Sequence, residues 1–288
     1  MSVTALVVNY NAGALLTDCI ASLVNNGIRD IRVVDNASTD GSLATLVGRY
    51  GRSSGVEVLA NPTNRGFGPA INDQLDTVSG SKLLIINPDC CLAPGALTLL
   101  TAALDHDAGA ALAGPRVTDR QGRREPAACR RFPTPRLAFM TASGLSRLAG
   151  RFPGLAGVEV HEHTAPPQVA AVEATSGACM LVRTELLRTL GGFDEAYHLH
   201  CEDLDLMFRL REAGWRVLYV PQASAMHVQG VSSASRPLWV HRQKHRGLSR
   251  FFRQHIAHGV GWPQQALFTL GLWTHWLALW PLQWLRRA

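Results

Sequence analysis

The chain has 288 residues, 47% hydrophobic and 17% charged, enough to bury a large core, which excludes a disordered chain or a disulfide-stapled miniprotein. Its net charge of +6 is carried almost wholly by arginine, the lysines being Lys82 and Lys244, and favours anionic partners. The charge is lopsided, because no acidic residue follows Glu212 while residues 213–288 hold nine Arg or Lys and all seven Trp.

The first hundred residues alternate between β-branched runs and amphipathic stretches. Strands are predicted at Val3–Val8, Ile31–Asp35, Val56–Leu59 and Lys82–Asn87, and helices at Ala14–Asn25, Gly41–Tyr50, Phe67–Thr77 and Pro94–Leu104. Strands separated by helices imply right-handed crossovers and an α/β fold with a mostly parallel, doubly wound sheet, helices on both faces. Ligands of such sheets bind at the carboxyl ends of the strands. Those ends carry Asn9, Tyr10 and Asn11, then Asp35 and Asn36, then Asn61 and Asn64, then Asn87 and Asp89. One polar strand end is an ordinary turn or helix cap; four in succession predict a site.

From Thr118 to Val172 the pattern weakens, with frequent Arg and Pro, and Phe152–Pro167 reads as a long loop of the kind that serves as a lid. Regular elements return as a strand at Ala178–Val182, a helix at Thr184–Leu190, a break at Gly191–Gly192, a helix at Asp203–Ala213 and a strand at Arg216–Val220, stopped by Pro221. Six cysteines without a Cys-x-x-Cys pair suit a reduced, cytosolic chain, and no secretory signal is read at the N-terminus.

Neither a dinucleotide nor a P-loop fingerprint is present, since Ile71 stands at the third glycine position after Gly66 and Gly68 and no Gly-Lys-Ser/Thr occurs. Asn87-Pro88-Asp89 follows an apolar strand and puts a carboxylate at the sheet edge, where a hard divalent cation needs only one or two protein carboxylates besides substrate phosphate; a plain turn reads equally well. Glu202, Asp203 and Asp205 crowd the start of a helix, whose dipole favours their ionised forms; capping accounts for one or two of them, and a general base for another. His227 follows the last strand, and a lone histidine is as a rule structural.

Together these segments resemble the inverting nucleotide-sugar glycosyltransferases of family 2, with the GT-A fold, and within them the bacterial rhamnosyltransferase-like branch. The matching stretches are VVNYN at 7–11, VVDNASTDGS at 33–42, NRGFGPAIN at 64–72, NPD at 87–89, SGACMLVRTE at 176–185, GGFDEAYHLHCEDLDLMFRLREAGWRVLYVP at 191–221 and HVQGVSS at 227–233. The resemblance implies a transferase domain over 1–235, with a nucleotide-sugar half at 1–117 and an acceptor and catalytic half at 173–235. It also implies roles. Asn9, Tyr10 and Asn11 would line the base pocket, with Asp35 accepting from the base or ribose. Asn64, Arg65 and Gly66 would approach the donor diphosphate. Asp89 would hold Mg²⁺ or Mn²⁺, with Asn87 in place of the family's first metal acid and His227 as a further contact. Asp203 would be the catalytic base, and Glu202 would orient it or touch the acceptor. The branch points to L-rhamnose from a dTDP donor, moved to a glycan or polyprenyl-linked acceptor in cell-surface polysaccharide synthesis. The other readings of the same residues are a sugar-1-phosphate nucleotidyltransferase and a non-enzymatic, membrane-bound basic scaffold.

The extension 236–288 begins with a basic helical stretch carrying Arg236, Arg242, Lys244, Arg246, Arg250 and Arg253. Residues 266–285 then lack charge over about 30 Å of helix at roughly 1.5 Å per residue. Gly271, Thr274, His275 and Pro281 dilute this segment and both flanks are positive, so residues 262–288 are expected to lie in the plane of a membrane rather than span it. An apolar basic tail suits the inner face of the cell membrane better than nucleic acid, for which no partner role is expected.

Overall fold

The computed structural model describes residues 2–51, 55–228 and 237–285, with side chains to 280. Strand β1 (Val3–Asn9) leads through α1 (Ala14–Asn25) to β2 (Asp30–Asp35), and α2 (Ser42–Tyr50) to β3 (Val56–Ala60). Then α3 (Phe67–Leu75) precedes β4 (Lys82–Ile86), the short β5 (Cys90–Leu92), α4 (Ala96–His106) and β6 (Ala110–Thr118). After α5 (Pro135–Ala142) come β7 (Ala170–Val172), β8 (Cys179–Arg183), α6 (Thr184–Thr189), α7 (Glu202–Glu212) and β9 (Arg216–His227). Helices α8 (Pro237–Phe251) and α9 (Trp262–Leu285) close the chain, joined through a π turn at Phe252–Ile256.

One sheet runs β3-β2-β1-β4-β8-β6-β9-β5, with β7 paired to β9. It is parallel from β3 to β4, as the β/α alternation predicts, and mixed beyond, because β8 enters antiparallel to both β4 and β6. Residues alternate between two cores along β1. Ala5 and Val7 face α1 and α4, where Leu16, Ile20, Leu100 and Leu104 are buried. Leu6 and Val8 face α3 and α7, where Ile71, Leu75, Leu204 and Met207 are buried. Burial on both faces explains why β1 and β4 are uninterrupted apolar runs.

Two expectations change. The last strand does not stop at Pro221 but continues to His227. The register between β6 and β9 jumps from Pro115↔Val220 to Arg116↔Ser224, so Pro221 sits in an irregular stretch where its missing N–H breaks no ladder. Phe152–Pro167 is not a featureless loop: it holds 3₁₀ turns at Pro153–Leu155 and Glu162–Thr164, tied down by a bridge from Arg130 to Glu159. The expected junction at 235/236, most of HVQGVSS, Arg236 and Arg286–Arg287 lie outside the described residues.

Candidate active site

Topology brings the distant segments to one edge. Strands β1, β2 and β4 end there in Asn9, Asp35 and Asn87. Because β8 is antiparallel to β4, with Cys179 opposite Ile86, its entry at Gly177 and Ala178 lies at the same edge. Strand β9 is parallel to β6 and delivers His227, and β5 pairs back with Cys90 opposite His227, which sets Asp89 alongside.

At the first two strands most polar groups pair with one another, the buried Asn9 Oδ1 being without a partner. The buried Asn9 amide donates to Asp35 (2.7 Å), Ser38 (3.1 Å) and Ser42 (3.0 Å), and Asp35 accepts from the Ser38 N–H (3.0 Å). Asn11 receives the Thr39 N–H (2.7 Å), and Tyr10 is half-buried at the strand end. Asn36 donates to the Gly66 carbonyl (3.0 Å), and Asn64 folds back to accept the Gly66 N–H (2.9 Å). Arg65 pairs with Asp73 on α3, so its guanidinium is committed on that helix rather than at the carboxylate centres.

The second centre joins Asn87, Asp89 and His227. The His227 Nε2 lies 3.2 Å from Asp89 and 3.5 Å from the Asn87 amide, and its Nδ1 lies 3.0 Å from Glu125. Burial alone would discharge the imidazole, but hydrogen bonds to Asp89 and Glu125 outweigh it and raise His227 to about 9. Glu125 was not anticipated. It comes from the insertion after β6, and its second oxygen is buried without a partner. A divalent ion here would have the Asp89 carboxylate and, only with the Nε2 proton displaced, the His227 imidazole, with Glu125 on the opposite ring nitrogen in the position that orients a metal-bound histidine. Among the described residues no group of three His, Cys, Asp or Glu side chains is arranged to hold a metal ion, so an ion here would need substrate oxygens as further ligands.

The third centre is the start of α7. Cys201, with φ of +71°, turns the chain so that Glu202 and Asp203 open the helix. Asp203 accepts from Arg130, from the Gly177 N–H (3.0 Å) and, at Oδ1, from the Leu204 N–H (2.8 Å). Gly177 is required there, since an added Cβ would stand 2.7 Å from the Asp203 oxygen. Glu202 has an oxygen that is buried with no partner, and burial followed by the Asp203 charge pushes its carboxyl up to about 8. Asp205 plays another part. It is wholly buried between Arg209 (2.8 Å) and His255 (2.7 Å), an ion pair inside the core.

The two carboxylate centres are linked through backbone: the Asn87 N–H donates to Ala178 (2.9 Å), the neighbour of the glycine that holds Asp203. Arg130, like Glu125, was missed, and both come from the irregular stretch after β6, ahead of the loop read as a lid. Their only signal in sequence is an Arg-rich stretch, REPAACRRF at 124–132, without periodicity.

Comparison with known proteins shows the family and the fold. Residues 2–249 match the family described as Glycosyltransferase like family 2. The chain is 32% identical over 247 residues to the N-acetylglucosaminyl-diphospho-decaprenol L-rhamnosyltransferase of Mycobacterium tuberculosis, covering 81% of this chain and 78% of that one. It is 35% identical over 85 residues to the rhamnosyltransferase WbbL of Escherichia coli, covering 30% of this chain and 28% of that one. Its fold resembles the mannosyltransferase PcManGT from Pyrobaculum calidifontis, solved with GDP-Man and Mn²⁺ (TM-score 0.61, 18% identity, 99% of this chain and 72% of that one). It also resembles GalNAc-T7, solved with UDP, GalNAc and Mn²⁺ (TM-score 0.63, 16% identity, 88% of this chain), of which it spans 49%.

Proposed function

We propose, from the premise that the chain belongs to glycosyltransferase family 2, that it moves L-rhamnose from a dTDP donor, with inversion, onto a sugar carried by a polyprenyl diphosphate. The observation that carries this reading is the meeting of two carboxylate centres, Asp89 with His227 and Glu202 with Asp203, at one sheet edge beside the polar ends of β1 and β2. The donor's nucleoside sits at Asn9–Asn11 and Asp35, and its diphosphate reaches toward Gly66 and Asp89. The similarity to a rhamnosyltransferase acting on diphospho-decaprenol supports the sugar and the acceptor class.

Adjacent carboxyl groups divide the labour at the acceptor. Two like charges on successive residues are costly when one is buried, so Glu202 is pushed up to about 8 and keeps its proton, while Asp203 is held by Arg130 and two backbone N–H groups. Asp203 Oδ1 has taken only one donor and retains a lone pair for the acceptor hydroxyl, whose proton it accepts as the oxygen attacks the anomeric carbon. Glu202 orients that hydroxyl. A Mg²⁺ or Mn²⁺ ion held by Asp89 and His227 would supply positive charge to the departing diphosphate.

We place the protein at a membrane surface. No helix of the described residues is long and apolar enough to cross a bilayer. Yet Trp262, Leu267, Leu270 and Leu277 of α9 are exposed, and so are Phe139, Leu148 and Phe152 of the insertion, whose helix α5 packs against α9. A helix that is apolar nearly all round, with leucines exposed beside a basic helix, suits the membrane interface and brings the active site to a lipid-borne acceptor. Cytoplasmic placement at the inner membrane face agrees with six free cysteines.

The test is incubation with nucleotide sugars and an N-acetylglucosaminyl-diphospho-polyprenol in Mg²⁺ or Mn²⁺. The expected result is a rhamnosylated lipid of inverted anomeric configuration by NMR. No transfer from any nucleotide sugar, or pyrophosphate release from a nucleoside triphosphate, would replace this reading with the nucleotidyltransferase one.

A further inference from the structure

Away from the sheet edge, a cavity of about 830 Å³ lies between α8, α9 and the loop that leads into α7. Both helices turn one stripe toward it. Along α8 and the π turn, Arg242, Arg246, Arg250 and Arg253 recur at spacings of four, four and three, so their side chains share one face. Arg250 pairs with Asp194 (2.7 Å) and lies over the Tyr197 ring. Among the described residues the other three arginines have no carboxylate partner, and the chain holds no acid after Glu212 to provide one nearby in sequence. Guanidinium groups converging on one space without counter-charge are satisfied by a multivalent anion, for which their forked donors are well shaped.

The facing wall is apolar. Trp273, Trp276 and Trp280 recur along α9 at spacings of three and four, and Trp239 joins them from α8. A cavity of this volume encloses an organic ligand rather than an ion, and its two walls fit an amphiphile with an anionic group followed by hydrocarbon. Nucleic acid fits less well, because the indoles adjoin an uncharged helix whose outer face exposes leucines.

The cavity also adjoins the base. Its lip includes Tyr197, His198 and Leu199, and the same loop continues through Cys201 into Glu202 and Asp203, with the His198 carbonyl beside Gly66. Helix α8 is seated on this loop as closely as atoms allow: a Cβ at Gly247 would stand 2.6 Å from the His200 carbonyl oxygen.

We infer that this cavity binds the isoprenoid diphosphate of the acceptor, with Arg242, Arg246 and Arg253 on the diphosphate and the α9 tryptophans on the first isoprene units, so that the attached sugar is presented to Asp203. The inference rests on the lipid-linked acceptor proposed above and adds the place where its anchor is held. The exposed leucines of α9 then give the remaining hydrocarbon a path into the bilayer.

The test is titration of the full chain with farnesyl diphosphate, farnesol, inorganic pyrophosphate and phosphatidylglycerol vesicles, followed by tryptophan fluorescence, with the donor site monitored separately by thermal shift with dTDP. The expected result is saturable binding of farnesyl diphosphate, at least roughly tenfold tighter than farnesol or pyrophosphate, and weakened roughly ten- to hundredfold in Arg242→Ala/Arg246→Ala with the dTDP shift unchanged. Both arginines are exposed, and Arg253→Ala, also exposed, provides a second variant expected to lose affinity in the same way. Binding within twofold of wild type in both variants, equal binding of farnesol, equal binding of pyrophosphate, or no further response to farnesyl diphosphate once vesicles are present would each overturn the inference. Because this readout needs no turnover, it separates from the transferase reading: a chain that binds farnesyl diphosphate through these arginines yet transfers no sugar defeats the activity and not the cavity.

Discussion

The nucleotide half and the C-terminal helices bury their polar groups in opposite ways. At the ends of β1 and β2, the Asn9 amide and the Asp35 carboxylate find partners within a few residues of the strand ends, over a core of aliphatic side chains packed on both faces of the sheet. Between α8 and α9 the buried polar groups are His241, Gln243, His245 and Ser249, Arg242, Arg246 and Arg253 line a cavity without a carboxylate partner among the described residues, and leucines face outward. The first region fixes its polar side chains largely with partners of its own and presents them at the sheet edge. A region with unmatched charge on one side and unmatched hydrocarbon on the other is shaped for something that is not protein.

The sharpest way to break the contrast is to disturb the buried contact by which the C-terminal helices are tied to α7. Asp205 of α7 is fully buried and binds His255, which follows α8. Asp205→Ala strands Arg209 and His255 in the core and is expected to cost about 3–5 kcal/mol of stability, read as a fall in denaturant midpoint. A loss below about 1 kcal/mol would mean the helices dock without it.

A smaller effect is expected from the orienting shell of the proposed metal pair. Glu125→Ala frees the His227 ring and should weaken Mn²⁺ binding in the presence of dTDP by roughly 10–100-fold, measured by calorimetry. Unchanged affinity would remove Glu125 from this role.

The mildest expectation concerns pH. His245 lies against the His241 carbonyl (2.8 Å) and the His275 ring (3.1 Å); burial, then the nearby His241, His275 and Lys244, lower it to about 4. A histidine held neutral in the fold but free to charge when released contributes stability above its ordinary value near 6.5, and that contribution is lost as pH falls from there toward 4. Tryptophan emission of the α9 region should therefore shift red between pH 6.5 and 4, and less so in His245→Gln. An equal shift in both would assign the transition elsewhere.

Much of the first half was legible because parallel strands buried on both faces must be continuous apolar runs, and helices between them must be amphipathic. Strand β6 was not, because Ala110–Thr118 is rich in small residues with Gly114 and Pro115 in its middle, and the three-residue β5 is shorter than any pattern. At the site, Asp35, Asp89, Asp203 and His227 were readable because each ends or opens a regular element. Glu125 and Arg130 act across 102 and 73 residues from an insertion without period, so only tertiary structure pairs them with His227 and Asp203. The sequence position of Arg65 points to the diphosphate, and its pairing with Asp73 on α3 was not legible there.

The central claim is that residues from four segments serve one activated sugar, Asp203 on the acceptor side and Asp89 on the diphosphate side. The direct measurement is donor binding and sugar transfer, in parallel, for Asp203→Asn and Asp89→Asn with dTDP-L-rhamnose and Mn²⁺. The account predicts that Asp203→Asn binds donor as the wild type does but transfers about 10²–10⁴-fold more slowly, while Asp89→Asn loses the Mn²⁺-dependent part of donor binding. Near-normal transfer by Asp203→Asn, or Mn²⁺-dependent donor binding undiminished in Asp89→Asn, would contradict it.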